Sequence, residues 1–329
     1  MKFFLVPTVV SILVLLGILV WAGPWAFVTA VLLVILEVTL SFDNAVVNAR
    51  VLMRMSEKWQ KRFLTWGILI AVVGTRLVLP ILIVSVSVWT SPWLVAKLAA
   101  FSPEEYGHLL EGSKHAIYSF GAAFLLMVSL KYFLDEAKDV HWIKSIEKQL
   151  TKLGRIEAVE IGIALLVLVG LSFLVPLEQG IILAAGIIGI VLFILMQGLA
   201  DSFSSTATNM AAGGLTLFLY LNVLDAAFSL DSVVGAFALT TSIPIIVAGL
   251  GIGAWFVRSM TIYFVRKNTL DTLVYLEHGA HWAIFGLAAS MFAGLLFEVP
   301  EIITGGIGLA FVAAAYFSSL RLHKHDAHA

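Results

Sequence analysis

The sequence predicts an all-α fold: a polytopic transmembrane helical bundle of about ten spans, organised as an inverted-topology internal repeat. Three observations carry that expectation. The 329-residue chain is 60% apolar and only 12% charged, with a mean hydropathy of +1.01, whereas soluble domains carry about 25% charged residues. Its apolar residues are grouped into runs long enough to cross a bilayer, about 20 residues each. Two acidic motifs inside those runs resemble each other. The composition excludes a soluble enzyme and an intrinsically disordered chain, since disorder needs low hydrophobicity and high net charge. A net charge of −1 leaves no basic footprint for nucleic acid. The absence of cysteine removes disulfides, zinc–thiolate sites and thiol catalysis.

Ten runs are candidate spans: 3–22, 25–48, 63–88, 115–134, 157–175, 180–197, 213–237, 243–264, 280–297 and 302–320. The first follows a single basic residue, Lys2, and resembles a signal peptide in outline. It is too long for a signal h-region and has no small-x-small cleavage site before Pro24, so it is read as a retained helix. Basic residues fix the orientation. With ten spans, Lys2, the 50–62 loop (Arg50, Arg54, Lys58, Lys61, Arg62), the basic 131–157 loop, Arg266 and Lys267, and the tail residues Arg321 and Lys324 share one side. Of the 20 basic residues only Lys97 and Lys114 fall on the other face, and Arg76 and Arg258 lie within spans. Both termini are therefore expected in the cytoplasm. The chain divides into a first helix (1–24), repeat half A (25–134), an amphipathic cytoplasmic loop with a transmembrane hairpin (135–207), repeat half B (208–299), and a last helix with its tail (300–329). The helical pattern around Ile146, Leu150 and Leu153 places part of the 131–157 loop along the cytoplasmic surface.

Self-comparison reveals the repeat. Residues 37–47 read EVTLSFDNAVV and residues 225–235 read DAAFSLDSVVG. At an offset of 188, Glu37 meets Asp225, Ser41 meets Ser229, Asp43 meets Asp231 and Asn44 meets Ser232. In the next helix of each half an arginine follows a glycine by nine residues: Gly67 to Arg76, and Gly249 to Arg258. At the start of the third helix come Glu111-x-x-x-His115 and Glu277-x-x-x-His281. The second copy lies five spans after the first, an odd step, so the copies run in opposite directions. Transporters use inverted repeats to exchange inward-open and outward-open shapes, with the substrate held near the midplane.

Each intramembrane charge costs about 2.5–3.5 kcal/mol even on lenient insertion scales. Glu37, Asp43, Asp225 and Asp231 together would cost on the order of 10 kcal/mol unpaired. Two arginines balance two of them, and a divalent cation or two protons balances the rest. Positions 37, 41, 44 and 48 share one helix face, as do 225, 229 and 232, while Asp43 and Asp231 sit off that stripe. Either the helices unwind locally near Ser41–Asn44 and Ser229–Ser232, or the aspartates face the arginines. The candidate metal ligands are Glu37, Ser41, Asp43, Asn44, Asp225, Ser229, Asp231 and Ser232. All are oxygens, which suits Mg²⁺, Ca²⁺ or Mn²⁺. Arg76 and Arg258 are candidates for charge balance, and Glu111, His115, Glu277 and His281 for helix-end pairs or a proton relay.

These two motifs, with YLEHGAHWAIFG at 275–286 and the glycine-to-arginine helices, resemble the signature of the TerC family of integral membrane proteins over about 25–134 and 208–297. The chain looks like a longer subfamily, with added helices and with Ser232 where asparagine is frequent in that family. The family is named for tellurite resistance, and several bacterial members are understood as manganese exporters. The resemblance implies a metal path through Glu37, Asp43, Asn44, Asp225 and Asp231. It implies a multi-pass transporter of the bacterial inner membrane, not an enzyme, that exports Mn²⁺ as cargo with no fixed cofactor. Its partners are then the divalent cation and the lipid bilayer. Rival readings are a Ca²⁺ transporter, a non-transporting scaffold linked to metal or tellurite stress, and an intramembrane metalloenzyme, for which no HExxH or serine–lysine motif is present.

Overall fold

A computed structural model describes residues 2–156, 158–204, 210–240, 242–267 and 269–326. The described residues form helices and no strand. In chain order they are α1 (Lys2–Leu40), α2 (Phe42–Met53), α3 (Glu57–Leu69), a π-helical segment (Ile70–Val78), α4 (Leu79–Ser87), α5 (Pro92–Phe101), α6 (Pro103–Gly112), α7 (Lys114–Phe133), α8 (Lys144–Leu153), α9 (Val159–Leu174), α10 (Gln179–Ser204), α11 (Met210–Leu239), α12 (Ile243–Arg266), α13 (Thr269–Thr272), α14 (Leu276–Ala293) and α15 (Glu301–Asp326). The expected boundary between residues 207 and 208 lies outside the described residues.

Seven helices among the described residues are long and apolar enough to cross a membrane. The ten runs read from the sequence are all helical, and three differ from a separate long span for local reasons. The first two runs join into α1, which bends at Gly23, where φ is 85° and ψ 179°. That conformation is open to glycine and strained for residues with a Cβ. The fifth run is the 16-residue α9. The ninth is α14, whose polar Glu277, His278 and His281 lower its hydropathy and are buried or partly buried against protein.

Polarity sorts with position. α7, α11, α12 and α14 are largely buried, whereas α9, α10 and α15 expose Leu166, Phe173, Ile188, Leu195, Leu309 and Phe317. Exposed tryptophans flank the α1 bend (Trp21, Trp25) and the α4–α5 turn (Trp89, Trp93), the placement favoured at a membrane interface. α1 packs along α12, α11 along the π-helical segment, α7 against α14, α2 against α14, and α11 against α7. Close approach of α1 to α12 uses Gly249 and Gly253, one turn apart: a Cβ on Gly249 would lie 2.6 Å from Leu33 Cβ, and one on Gly253 would lie 2.6 Å from Glu37 Cβ. Small residues at this spacing let membrane helices pack backbone to backbone.

The helix expected in the 131–157 loop is α8. Ile146 and Leu153 are exposed on it, and Leu150 packs on the core. Its inward residue is Glu147, which is fully buried. The carboxylate accepts from the backbone N–H groups of Trp142 (3.1 Å) and Ile143 (3.3 Å), satisfying donors at the start of α8. It also accepts from Trp282 Nε1 at 3.0 Å and from His278 Nδ1 at 2.8 Å, and Lys138 Nζ lies 3.2 Å away. Because a carboxylate only accepts, His278 carries its proton on Nδ1. Burial alone would push the Glu147 carboxyl up; the hydrogen bonds from His278 and Trp282 and the charges of His278 and Lys138 outweigh it and hold the group below the usual carboxylate range.

A depressed carboxylate contributes stability that is complete above its unfolded pKa and is lost as pH falls through the folded one. Glu147→Gln is therefore expected to lower unfolding stability in detergent by about 1–3 kcal/mol at pH 7. The gap between variant and native chain should narrow as pH drops below about 4. Parallel thermal unfolding of the two proteins at both pH values checks this.

Candidate functional site

Half A of the site is built where α1 ends. Ser41, with φ −104° and ψ 14°, forms a one-residue turn between Leu40 and Phe42, its N–H still donating to the Glu37 carbonyl at 2.9 Å. Glu37 lies one turn earlier and is completely buried. Its Oε1 accepts from Ser41 Oγ at 2.9 Å and from Arg76 Nη2 in a close ion pair. Arg76 sits in the π-helical segment, and its Nη1 donates to the Ala71 carbonyl at 2.5 Å. π-helical turns are frequent at functional sites.

Half B pairs the equivalent groups with a different outer partner. Asp225 Oδ2 accepts from Arg258 Nη2 at 3.3 Å. Arg258 Nη1 donates to the carbonyl of Phe63 at 2.8 Å, and the guanidinium lies 4.1 Å over the Phe63 ring. Arg258 thus reaches from α12 into α3, and Gly67 makes room for it: a Cβ there would sit 2.3 Å from Nη1. α11 stays helical through the motif. Ser229 Oγ donates to the Asp225 carbonyl at 2.8 Å and Ser232 Oγ to the Ser229 carbonyl at 3.0 Å, so both hydroxyls spend their protons on the backbone and keep oxygen lone pairs free.

Arg76 thus pairs with Glu37 and Arg258 with Asp225. Asp43 is buried in the first turn of α2, its Oδ1 accepting from the Asn44 N–H at 3.0 Å, and it forms no ion pair among the described residues. Asp231 and Ser232 are buried on α11. Two further acceptor oxygens, Glu37 Oε2 and Asn44 Oδ1, are buried without a hydrogen-bond donor among the described residues. Among the described residues no three His, Asp or Glu side chains come together closely enough to hold a metal. The four intramembrane acids are therefore divided between two arginine pairs and two other aspartates rather than gathered in one cluster. What the region offers chemically is a set of buried oxygens: Glu37, Ser41, Asp43 and Asn44 at the α1–α2 junction, and Asp225, Ser229, Asp231 and Ser232 on α11.

The third-helix pairs are unequal. Glu111 is exposed at the end of α6, and Ser113 separates it from His115 on α7, so the two do not share one helix. Glu277 pairs instead with Arg50 at the end of α2, at 2.6 Å. His281 Nδ1 bonds the Glu277 carbonyl at 2.9 Å, and its ring stacks on Tyr132 at 3.6 Å. Glu147, Asn48 and Asn222 were not distinguished by the sequence as functional candidates. For Asn48 a signal existed, since it continues the 37-41-44 stripe; Asn222 has no repeat equivalent, and Glu147 is one acid among many in a charged loop.

Removing one partner of a buried ion pair strands the other. Arg76→Gln is expected to cost about 3–5 kcal/mol, and the double variant Glu37→Gln/Arg76→Gln to recover most of it. Arg258→Gln and Asp225→Asn should behave alike. Denaturant unfolding in detergent, read as a double-mutant cycle, measures both couplings.

Comparison with known proteins returns one family. The family described as a protein of unknown function (DUF475) matches residues 42–326, from the start of α2 to the end of α15. No curated protein and no solved structure matches the chain. With the match spanning most of its length, the chain belongs to the DUF475 family.

Proposed function

We propose that this chain is a TerC-like transporter of the bacterial inner membrane that exports a divalent cation, with Mn²⁺ as the favoured cargo, by alternating access of two inverted halves. The observation that carries the reading is the repeated acid–serine–aspartate motif, in which each first acid is neutralised by the arginine of its own half. Asp43 and Asp231, the second acid of each copy, then supply the core cation ligands. Glu37 Oε2, Asn44 Oδ1 and the serine hydroxyls add hard oxygen donors, the ligand type Mn²⁺, Mg²⁺ and Ca²⁺ accept.

The helix packing supports the inverted repeat. α1 on α12 has its counterpart in α11 on the π-helical segment, and α2 on α14 has its counterpart in α11 on α7. Ten spans, with α1 counted as two at Gly23 and with α9 and α14 included, give both termini a cytoplasmic position. Protons driven inward would displace the metal from its carboxylates, making the protein an antiporter. Arg258 links the site to the other half: a cation competing for Asp225 would weaken its hold on Arg258, which also holds the Phe63 carbonyl.

A scaffold is the second reading, favoured by the absence of a three-acid cluster among the described residues. It uses the arginine pairs only to join helices. The two readings separate in proteoliposomes. Transport predicts ⁵⁴Mn²⁺ flux by the native chain, lost in Asp43→Asn and in Asp231→Asn and diminished when the proton gradient is collapsed. Flux absent for Mn²⁺, Ca²⁺ and Zn²⁺ alike, from a folded native chain, would leave the scaffold.

A further inference from the structure

Two buried asparagines stand between the acids and a separate apolar cluster. Asn48 is 2% exposed and Asn222 is 7% exposed. Among the described residues, each has a carbonyl oxygen, Oδ1, with no hydrogen-bond donor. The Asn222 amide is oriented by its nitrogen, which donates to the Phe218 carbonyl at 2.6 Å, so its oxygen is turned away from that bond. An unpaired buried amide oxygen costs about 1–3 kcal/mol, a cost that a bound cation or a bound donor would offset.

Their neighbours give the position meaning. Leu52, Met55, Phe63, Phe218 and Leu221 form a small buried apolar cluster of their own, distinct from the main core. Along α2 the order is Asn44, Asn48, Leu52, each one turn apart; along α11 it is Phe218, Asn222, Asp225. On both helices the asparagine therefore lies between the cluster and the acidic motif. The cluster sits beside the basic 50–62 segment, the side read as cytoplasmic. The repeat equivalents of the two asparagines, at the offset of 188, are Ala236 and Val34. The amides have no counterpart toward the opposite face.

We infer that Asn48 and Asn222 form a second, neutral cation position, filled from the cytoplasm once the Leu52–Phe63–Phe218–Leu221 cluster parts, from which a hard divalent cation passes to the carboxylates. This rests on the transport reading and assigns it a direction. Amide oxygens suit such a step because they replace hydration oxygens without adding a charge that would trap the ion.

The test is ⁵⁴Mn²⁺ equilibrium dialysis with the purified full chain in detergent, comparing the native protein, Asn48→Leu/Asn222→Leu, Asn48→Asp/Asn222→Asp and Asp43→Asn/Asp231→Asn. The native chain is expected to show two classes of Mn²⁺ position. The leucine variant should lose one class and keep the class that Asp43→Asn/Asp231→Asn removes. The aspartate variant should tighten the amide class by about tenfold or more, as added ligand charge does at calcium sites, and it also serves if the leucine variant does not fold. Unchanged binding in the aspartate variant, or two classes retained in a folded leucine variant, would mean that the amides are merely hydrated and would overturn the inference while leaving the transport reading intact. A native chain that binds no Mn²⁺ would overturn both.

Discussion

The ion pairs of Glu37 with Arg76 and of Asp225 with Arg258 constrain the rest of the structure, because a carboxylate in hydrocarbon must be neutralised before the surrounding helices can pack. Each pair joins the first helix of a half to the second, and each needs room. Gly253 provides it beside Glu37 and Gly67 provides it beside Arg258. The glycine spacing in α12 is thus a consequence of the pair it accommodates: α1 lies close along α12 so that Glu37 is sealed from lipid and solvent alike.

The pairs are equivalent in sequence and different in attachment. Arg76 spends its remaining donors on its own π-helical segment, at Ala71 and Thr75, while Arg258 spends one on Phe63 across the interface between halves. One half therefore holds its acid internally, and the other couples its acid to the partner half. A similar asymmetry appears at the helix ends, where Glu277 is clamped by Arg50 and Glu147 fastens the linker to α14, while Glu111 is exposed. These contacts concentrate polar fastening on the side carrying the basic loops.

Much of this was legible in the sequence because a membrane makes every polar residue conspicuous. The helical runs, the acid–serine–aspartate repeat and the role of Arg76 and Arg258 as counter-charges all follow from the cost of charge in an apolar segment. The near-identical motifs do not reveal that the helix turns at Ser41 and continues through Ser229. The pairing of Glu277 with Arg50 rather than within its own helix, and the burial of Glu147, depend on contacts between segments 227 and 131 residues apart. No periodicity reports those. Asn222 is hidden for a related reason: a neutral amide in a helix is common, whereas Asn48 at least continues the 37-41-44 stripe.

The opposed direction of the two motif-bearing helices is the claim on which transport by alternating access depends, and the chain lends itself to a direct test because it contains no cysteine. Lys58→Cys follows α2, and Thr240→Cys follows α11 at the position equivalent to Leu52. In right-side-out and inside-out vesicles, a membrane-impermeant maleimide should label Lys58→Cys only from the cytoplasmic face and Thr240→Cys only from the opposite face. Labelling of both from the same face would place the two motifs in parallel helices and contradict the inverted arrangement.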